Sequence, residues 1–452
     1  MSQMNVSGVA KLSKFLRGEV VMPRDKIYSQ LRCVKNRAVN MHPAIIARCA
    51  DLNDVQLAVR FARDHELVTA VRSGGHSFAG YGVCENGLVI DLSLMKRAVL
   101  DPVHGRIRID PGILAGELDC ITQSFRMAVP LGSCPTVGVA GYALGGGESS
   151  LTPKFGYGCD SLIDLEVVTA DGKVLKTNAR EHPDLFWAMR GAGGNFGVAT
   201  SLEFQLHPIE TVLSGNLRYP IRQARKVLKF LDDFAPTIPD DLFLIAAMLP
   251  HPGERMLDVK VVWLGDKKKG DRLLHPLRSY LRPFENTIEE KPYLDEQRGG
   301  FDVPEGEYSS HRRAGHFNRL TDDIIDTIIE HASNAPHEAS GVSMMYWHGS
   351  WSSKPHDNAF GFRKTGFEFW IHSYWQKTGR KKSWAWVEQF YNAMEPFLTG
   401  AVYVNDLENE GNARVRAAYG NKYDRLSQLK RKFDPYNFFR INQNIPPAAE
   451  GN

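Results

Sequence analysis

The sequence predicts an α+β protein of two domains, one built from strand–helix–turn units and one from an antiparallel sheet backed by helices. Three observations carry this. At 452 residues the chain exceeds one ordinary core and suits two sizeable ones. Glycine-rich turns at the ends of apolar runs crowd its N-terminal half. From Gly215 to about Gly400 those clusters stop, and strands alternate with amphipathic helices.

Val9 to Arg17 reads as a short amphipathic helix and Ile45 to Arg48 as a strand. A helix from Asn53 to Glu66 follows, with Val55, Leu57, Ala58, Phe61 and Ala62 at helical spacing; Asp51 or Asn53 caps it. Leu67, Val68, Ala70 and Val71 form a buried strand, which ends in the turn Arg72-Ser73-Gly74-Gly75-His76-Ser77. Paired glycines let backbone N–H groups converge without a Cβ clash, which suits an anion such as a diphosphate. An ordinary strand-end turn is the alternative. Gly87 to Leu92 and Arg106 to Asp110 are further strands, and Leu114 to Phe125 is a helix.

In Gly132 to Gly147 nine of sixteen residues are Gly, Ala or Ser. Such density removes bulk along a path, as a flat ligand lying on backbone requires. Cys134 stands at the entrance, where, taken alone, a buried small hydrophobe is the simpler reading. Cys159 to Lys176 reads as a hairpin about Asp171-Gly172. Asp184 to Thr200 carries Phe186 and Trp187 as core, with Gly191, Gly193, Gly194 and Gly197 at another close backbone approach. Glu203 to Leu206 is a strand, broken by His207-Pro208, and a domain boundary falls near Glu210 to Ser214.

Beyond it Val259 to Leu264, Ser343 to Ser350 and Phe367 to Trp375 read as strands, and Arg222 to Phe234, Asp322 to Ser333 and Ser383 to Met394 as helices. Tyr346, Trp347, Trp351, Phe369, Trp370, Tyr374 and Trp375, with His348 and His372, make the late strands aromatic. About half of these are expected in a core; the others line a pocket. Tyr419 to Phe433 is a basic helix, stopped by Asp434-Pro435.

Charge is nearly balanced, 55 basic against 52 acidic side chains, which makes no case for nucleic acid or an anionic membrane as partner. Lys267 to Lys269 reads as a solvated loop. Six cysteines without CxxC spacing argue against a zinc or thioredoxin site and a disulfide framework, and no metal is expected. Neither a signal peptide nor a membrane span is evident, so a soluble cytoplasmic monomer or homodimer is expected.

In this order the segments RSGGHS, GSCPTVGVAGYALGGG, DLFWAMRGAGGNFGVAT and YGNKYDRLSQLKRKFDPYNFFRINQNIPP resemble the berberine bridge enzyme-like family of FAD-linked oxidases, within the vanillyl-alcohol oxidase (PCMH-type) fold. The resemblance covers Met41 to Pro208 and Tyr403 to Pro447. It implies a two-subdomain α/β FAD-binding domain, discontinuous over 1–212 and 402–452, and a substrate domain over 213–401 whose sheet covers the flavin. It implies FAD bonded covalently to both His76 and Cys134. Arg72, Ser73, Gly74, Gly75, Ser77, Gly138, Gly141, Gly145, Gly146, Gly194, Asn195, Gly197 and Val198 would line the cofactor, and Asn437, Phe439 and Gln443 match the closing NxFxxxQxI pattern.

The implied activity is hydride removal from a small organic substrate, an alcohol, a sugar or a secondary metabolite, with electrons passed to O2 to give H2O2. Val137, three residues after Cys134, is the small residue that admits oxygen. Two positions depart from the family. Its YxNYxD motif here reads Tyr403-Val404-Asn405-Asp406-Leu407, with Asp406 in place of the basic tyrosine, and Trp370 aligns with a Glu or Gln near the flavin. The candidates for the base are Asp406, Tyr142, Tyr403 and Tyr374. Oxidative cyclisation or desaturation stands beside alcohol oxidation, and a dehydrogenase using another acceptor or a non-catalytic flavin-binding protein are the other readings. Peroxide formation and anaerobic flavin bleaching separate these.

Overall fold

The structure is a computed structural model that describes residues 6–251, 254–299, 308–336, 339–349 and 357–449. Trp351 and Ser350 lie outside the described residues. The first sheet runs in the order Glu19–Val21, Ile45–Arg48, Leu88–Asp91, Thr69–Arg72, the last three parallel. Its helix, Leu52–Asp64, starts at Asp51, whose side chain accepts from Asp54 N. Asn53 lies within the first turn, so the choice between the two caps falls to Asp51.

The second sheet is antiparallel: Ala98–Asp101, Arg106–Ile109, Val198–Gln205, Leu162–Val168, Val174–Asn178. The Asp171-Gly172 hairpin turns as expected, with Gly172 at φ +75°, where a Cβ would be strained.

The third sheet is also antiparallel, in the order Glu285–Asn286, Thr211–Pro220, Glu254–Trp263, Leu242–His251, Ser340–Trp347, Gly366–Trp375, Ser309–Phe317, with Glu289–Pro292 against Thr211–Pro220. Helices Ala224–Phe234, Asp322–Ser333 and Arg380–Met394 cover one face. There Leu228, Leu231, Ile325, Ile328, Val387 and Phe390 pack with Val342, Met344, Phe367, Phe369 and Ile371. Because side chains alternate along a strand, Glu368, Trp370, His372 and Tyr374 point to the opposite face.

Two expectations change. Lys267 to Lys269 is no loop; it opens the helix Lys267–Ser279, capped by Asp266, which accepts from Lys269 N. The basic helix expected over Tyr419 to Phe433 runs over Tyr423–Phe433; Tyr419 ends a separate helix, Asn412–Tyr419, parted from it at Gly420 with φ +53°. Lys430 ties this tail to the N-terminal region: fully buried, it donates to Asn195 O at 2.6 Å, Asp434 Oδ2 at 2.7 Å and Phe439 O at 2.9 Å. Among the described residues no helix is long and apolar enough to cross a membrane.

Candidate active site

The parallel strand Thr69–Arg72 delivers the turn that carries His76. Buried Arg72 donates to Asp91 Oδ2 on the next strand at 2.5 Å, and Ser73 Oγ donates to Pro111 O at 2.6 Å, so both residues at the start of the turn are fixed. The turn then packs backbone to backbone on the segment after Cys134. A Cβ on Gly74 would stand 2.3 Å from Gly138 N, and one on Gly138 would stand 2.2 Å from Ser73 Oγ. These glycines therefore let two turns touch, which brings His76 and Cys134 to one wall. Thr136 joins them, its hydroxyl 3.0 Å from His76 Nε2 and 3.6 Å from Cys134 Sγ. Burial, with Lys35 nearby, lowers the His76 pKa to about 4, so at neutral pH the imidazole keeps a free lone pair.

That wall faces a cavity of about 680 Å³ bounded by residues of the three sheets described above. Arg72, Ser73, Gly74, Gly75, His76, Ser77, Cys134, Val137, Gly138, Gly141, Tyr142 and Gly145 line it from one side, and Gly194, Asn195, Gly197, Val198 and Gln443 continue it. Trp370, His372, Tyr374, Tyr403 and Asp406 close it. Gly146 and Asn437 are not among its lining residues. Gly146 takes φ +133°, and the rings of Phe360 and Tyr403 stand 2.7 Å from where a Cβ would be, so both its backbone and its surroundings call for glycine; Asn437 takes φ +52° in the turn after Asp434. Gln443 has a second duty: its Nε2 donates to Leu407 O at 2.8 Å and Glu408 O at 3.2 Å, which steadies the segment that carries Asp406.

The expected FAD fits this lining. A Cβ on Gly141 would meet nothing within 4 Å, and one on Gly194 only Asn442 Cβ at 3.7 Å, so both leave open floor for a flat group. Arg72 Nη1 and Asn442 Oδ1 are buried without a hydrogen-bond partner among the described residues and belong to lining residues. A ligand with anionic and hydrogen-bonding groups would satisfy them.

The aromatic strands divide as alternation requires. Trp370 and Tyr374, with His372, line the cavity; Tyr346 and Phe369 pack under the helices, Trp347 is buried on the opposite face, where its Nε1 donates to Glu368, Trp375 is buried, and buried His348 has its Nε2 2.8 Å from Leu242 O. Burial, then Arg312 and Arg255, push the His372 pKa down to about 3. Two residues before Trp370, on the same face of the strand, stands Glu368. It meets Glu148 and Asp406, one oxygen of each within 4.8 Å of the others. Asp406 Oδ1 accepts from Arg312 Nη1 at 2.5 Å, and the Arg312 guanidinium packs on the rings of Phe78 and Trp370, 4.1 and 5.3 Å from their centroids. Burial raises the Asp406 pKa against the pull of Arg312.

The other candidate bases are differently placed. The Tyr142 hydroxyl donates to Glu148 O at 2.9 Å, and the Tyr403 hydroxyl accepts from Gly147 N and Asn405 Nδ2. Burial holds both phenols far above the usual range and raises Tyr374 as well. Glu148, Arg312 and Glu368 are the residues that the sequence reading misses. A signal exists for Glu368, the lone acid of the strand GFEFWIHSYW, in register with three pocket-facing side chains.

A family model described as FAD binding domain matches residues 43–178, and one described as berberine and berberine like matches residues 386–446. An FAD-linked oxidoreductase of Bacillus subtilis, YgaK, is 30% identical over 442 residues, covering 96% of this chain and 97% of its own. The monolignol oxidoreductase AtBBE-like 13 of Arabidopsis thaliana is 27% identical, over 88% of this chain and 82% of its own. The crystal structure of 6-hydroxy-D-nicotine oxidase from Arthrobacter nicotinovorans superposes with a TM-score of 0.88 at 27% identity, covering 96% of this chain and 98% of that one.

Proposed function

Because the chain belongs to the berberine bridge enzyme-like family of FAD-linked oxidoreductases, we propose that it is an oxidase with a doubly tethered flavin. It takes hydride from a small organic substrate and gives the electrons to O2, releasing H2O2. One observation carries this: His76 and Cys134, from separate turns, face one wall of one cavity and are linked through Thr136. Bound there through both side chains, FAD supplies the hydride acceptor and the route of electrons to oxygen. Neutral His76 retains the lone pair that a bond to the cofactor needs.

Val137, beside Cys134 in the lining, keeps the wall shallow enough for O2. Asp406, at the cavity and raised in pKa by burial, takes the proton of the substrate's O–H or N–H group, which general-base catalysis requires. Arg312 and Trp370 orient that carboxyl group and the substrate beside it. Relatives named for a monolignol and for a hydroxynicotine support a small organic donor. The test is anaerobic mixing with a panel of alcohols, amines and sugars, followed by admission of air. A substrate should bleach the flavin, and air alone should restore it with peroxide formed. Bleaching reversed only by an added carrier would mean a dehydrogenase; no bleaching by any class would mean a binding protein.

A further inference from the structure

Glu148, Glu368 and Asp406 come from three segments far apart in the chain, and each is committed on one side at most. Asp406 accepts from Arg312 Nη1 and Glu368 from Trp347 Nε1 at 2.6 Å. Their second oxygens, Asp406 Oδ2 and Glu368 Oε1, are buried without a hydrogen-bond partner among the described residues, as is Glu148 Oε2. Asp406 is 4% exposed and Glu368 0%. Ionised carboxylates offer only acceptors, and such bare lone pairs within 4.8 Å of one another would be both unsolvated and mutually repelled. A proton held between neighbours turns one acceptor into a donor and removes both costs.

Charge points the same way. Among the described residues the cation that faces all three groups is Arg312, enough to neutralise one carboxylate. The other ionisable neighbours among the described residues are the phenols of Tyr142, Tyr157, Tyr374 and Tyr403, which burial keeps protonated. We infer that Glu148, Glu368 and Asp406 form one acid–base unit that holds shared protons at neutral pH and receives the substrate's proton as a unit. Glu148 and Asp406 are its openings to the cavity, and fully buried Glu368 is the store behind them. Burial drives the pKa of Glu148 and Glu368 well above the carboxylate range, and that of Asp406 upward, in keeping with this geometry.

Its use in turnover rests on the oxidase reading; the shared protons do not. In that step the O–H or N–H bond of the substrate breaks, and its proton goes to the carboxylate of the unit that is ionised. The C–H bond breaks with its electron pair leaving as hydride to the oxidant, FAD, and the oxidised substrate gains a C=O or C=N bond. Glu368 touches no substrate and is a positioning residue.

The experiment is infrared spectroscopy of the resting holoenzyme, with no substrate, titrated from weakly acid to alkaline pH in H2O and D2O. An Asp119→Asn background removes the one further carboxyl group among the described residues whose pKa burial raises, to about 7. A deuterium-sensitive C=O band of protonated carboxyl groups is expected to persist at neutral pH and to titrate only in alkali, as coupled carboxyl groups do. Glu368→Gln should weaken it and lower the midpoint of the remainder by about one pH unit or more, while Glu368→Asp retains it. The pH profile of single-turnover flavin reduction should move with that midpoint. Absence of the band from neutral wild-type protein overturns the inference, and so does an unmoved midpoint in Glu368→Gln. A band that appears only after chelator treatment also overturns it, since a cation would then hold the three groups. A band without any oxidisable substrate would leave the unit standing and remove the oxidase reading.

Discussion

The Tyr403 hydroxyl accepts a 2.8 Å hydrogen bond from Gly147 N, so a side chain of the tail anchors the end of the glycine run. A second bond, from Asn405 Nδ2 at 2.7 Å, completes its acceptor capacity. In Tyr403→Phe the buried Gly147 N–H loses its partner, which should destabilise the holoenzyme by about 1–3 kcal/mol in a denaturant titration. Single-turnover flavin reduction should stay near the wild-type rate. A fall of about 10²-fold or more would make Tyr403 a base instead of an anchor.

Val137 is held in place through its carbonyl, which accepts from Ala115 N at 2.9 Å, so Val137→Leu extends a side chain at a fixed point of the cavity wall. Reoxidation of the reduced enzyme by O2, followed by stopped flow, should slow tenfold or more, roughly 1.4 kcal/mol in barrier. Anaerobic reduction should change little. Equal reoxidation rates would mean that oxygen arrives by another path.

Asp119 is 5% exposed, with Gln297 Nε2 donating to it at 3.2 Å, and burial lifts its pKa to about 7. The raised value means that the folded state binds the proton more tightly than the unfolded chain. Wild type therefore loses stability as pH rises from about 4 to about 7, and the loss is complete above that range. Asn mimics the protonated form. Asp119→Asn should equal wild type near pH 4 and exceed it by about 2 kcal/mol or more above pH 7, measured by urea unfolding across pH. Parallel stability curves would contradict this account of Asp119.

Much of this was legible where the signal is local. The Asp171-Gly172 turn needs only a glycine at positive φ between two β-branched runs, and the RSGGHS and GxCPTVG segments carry His76 and Cys134 in their own few residues. The glycine run was read for the right place and partly for the wrong reason. Gly141 does face open space, but Gly145 and Gly146 are small because Asn405, Tyr403 and Phe360 crowd them. Strands without a half-polar pattern went unread: Leu242–His251 opens with a continuous apolar run, and Ser309–Phe317 carries His311, Arg312 and Arg313 against partners from the tail. The carboxyl cluster was missed because folding, not spacing, joins residues 148, 368 and 406.

The oxidase reading stands on the tether. Acid precipitation of the purified holoenzyme, followed by measurement of flavin in pellet and supernatant, tests it most directly. Wild type should keep all its yellow colour in the pellet. His76→Ala and Cys134→Ala should each still retain flavin through the remaining bond, and the double variant should release it. Flavin freed into the supernatant from wild type would contradict the account.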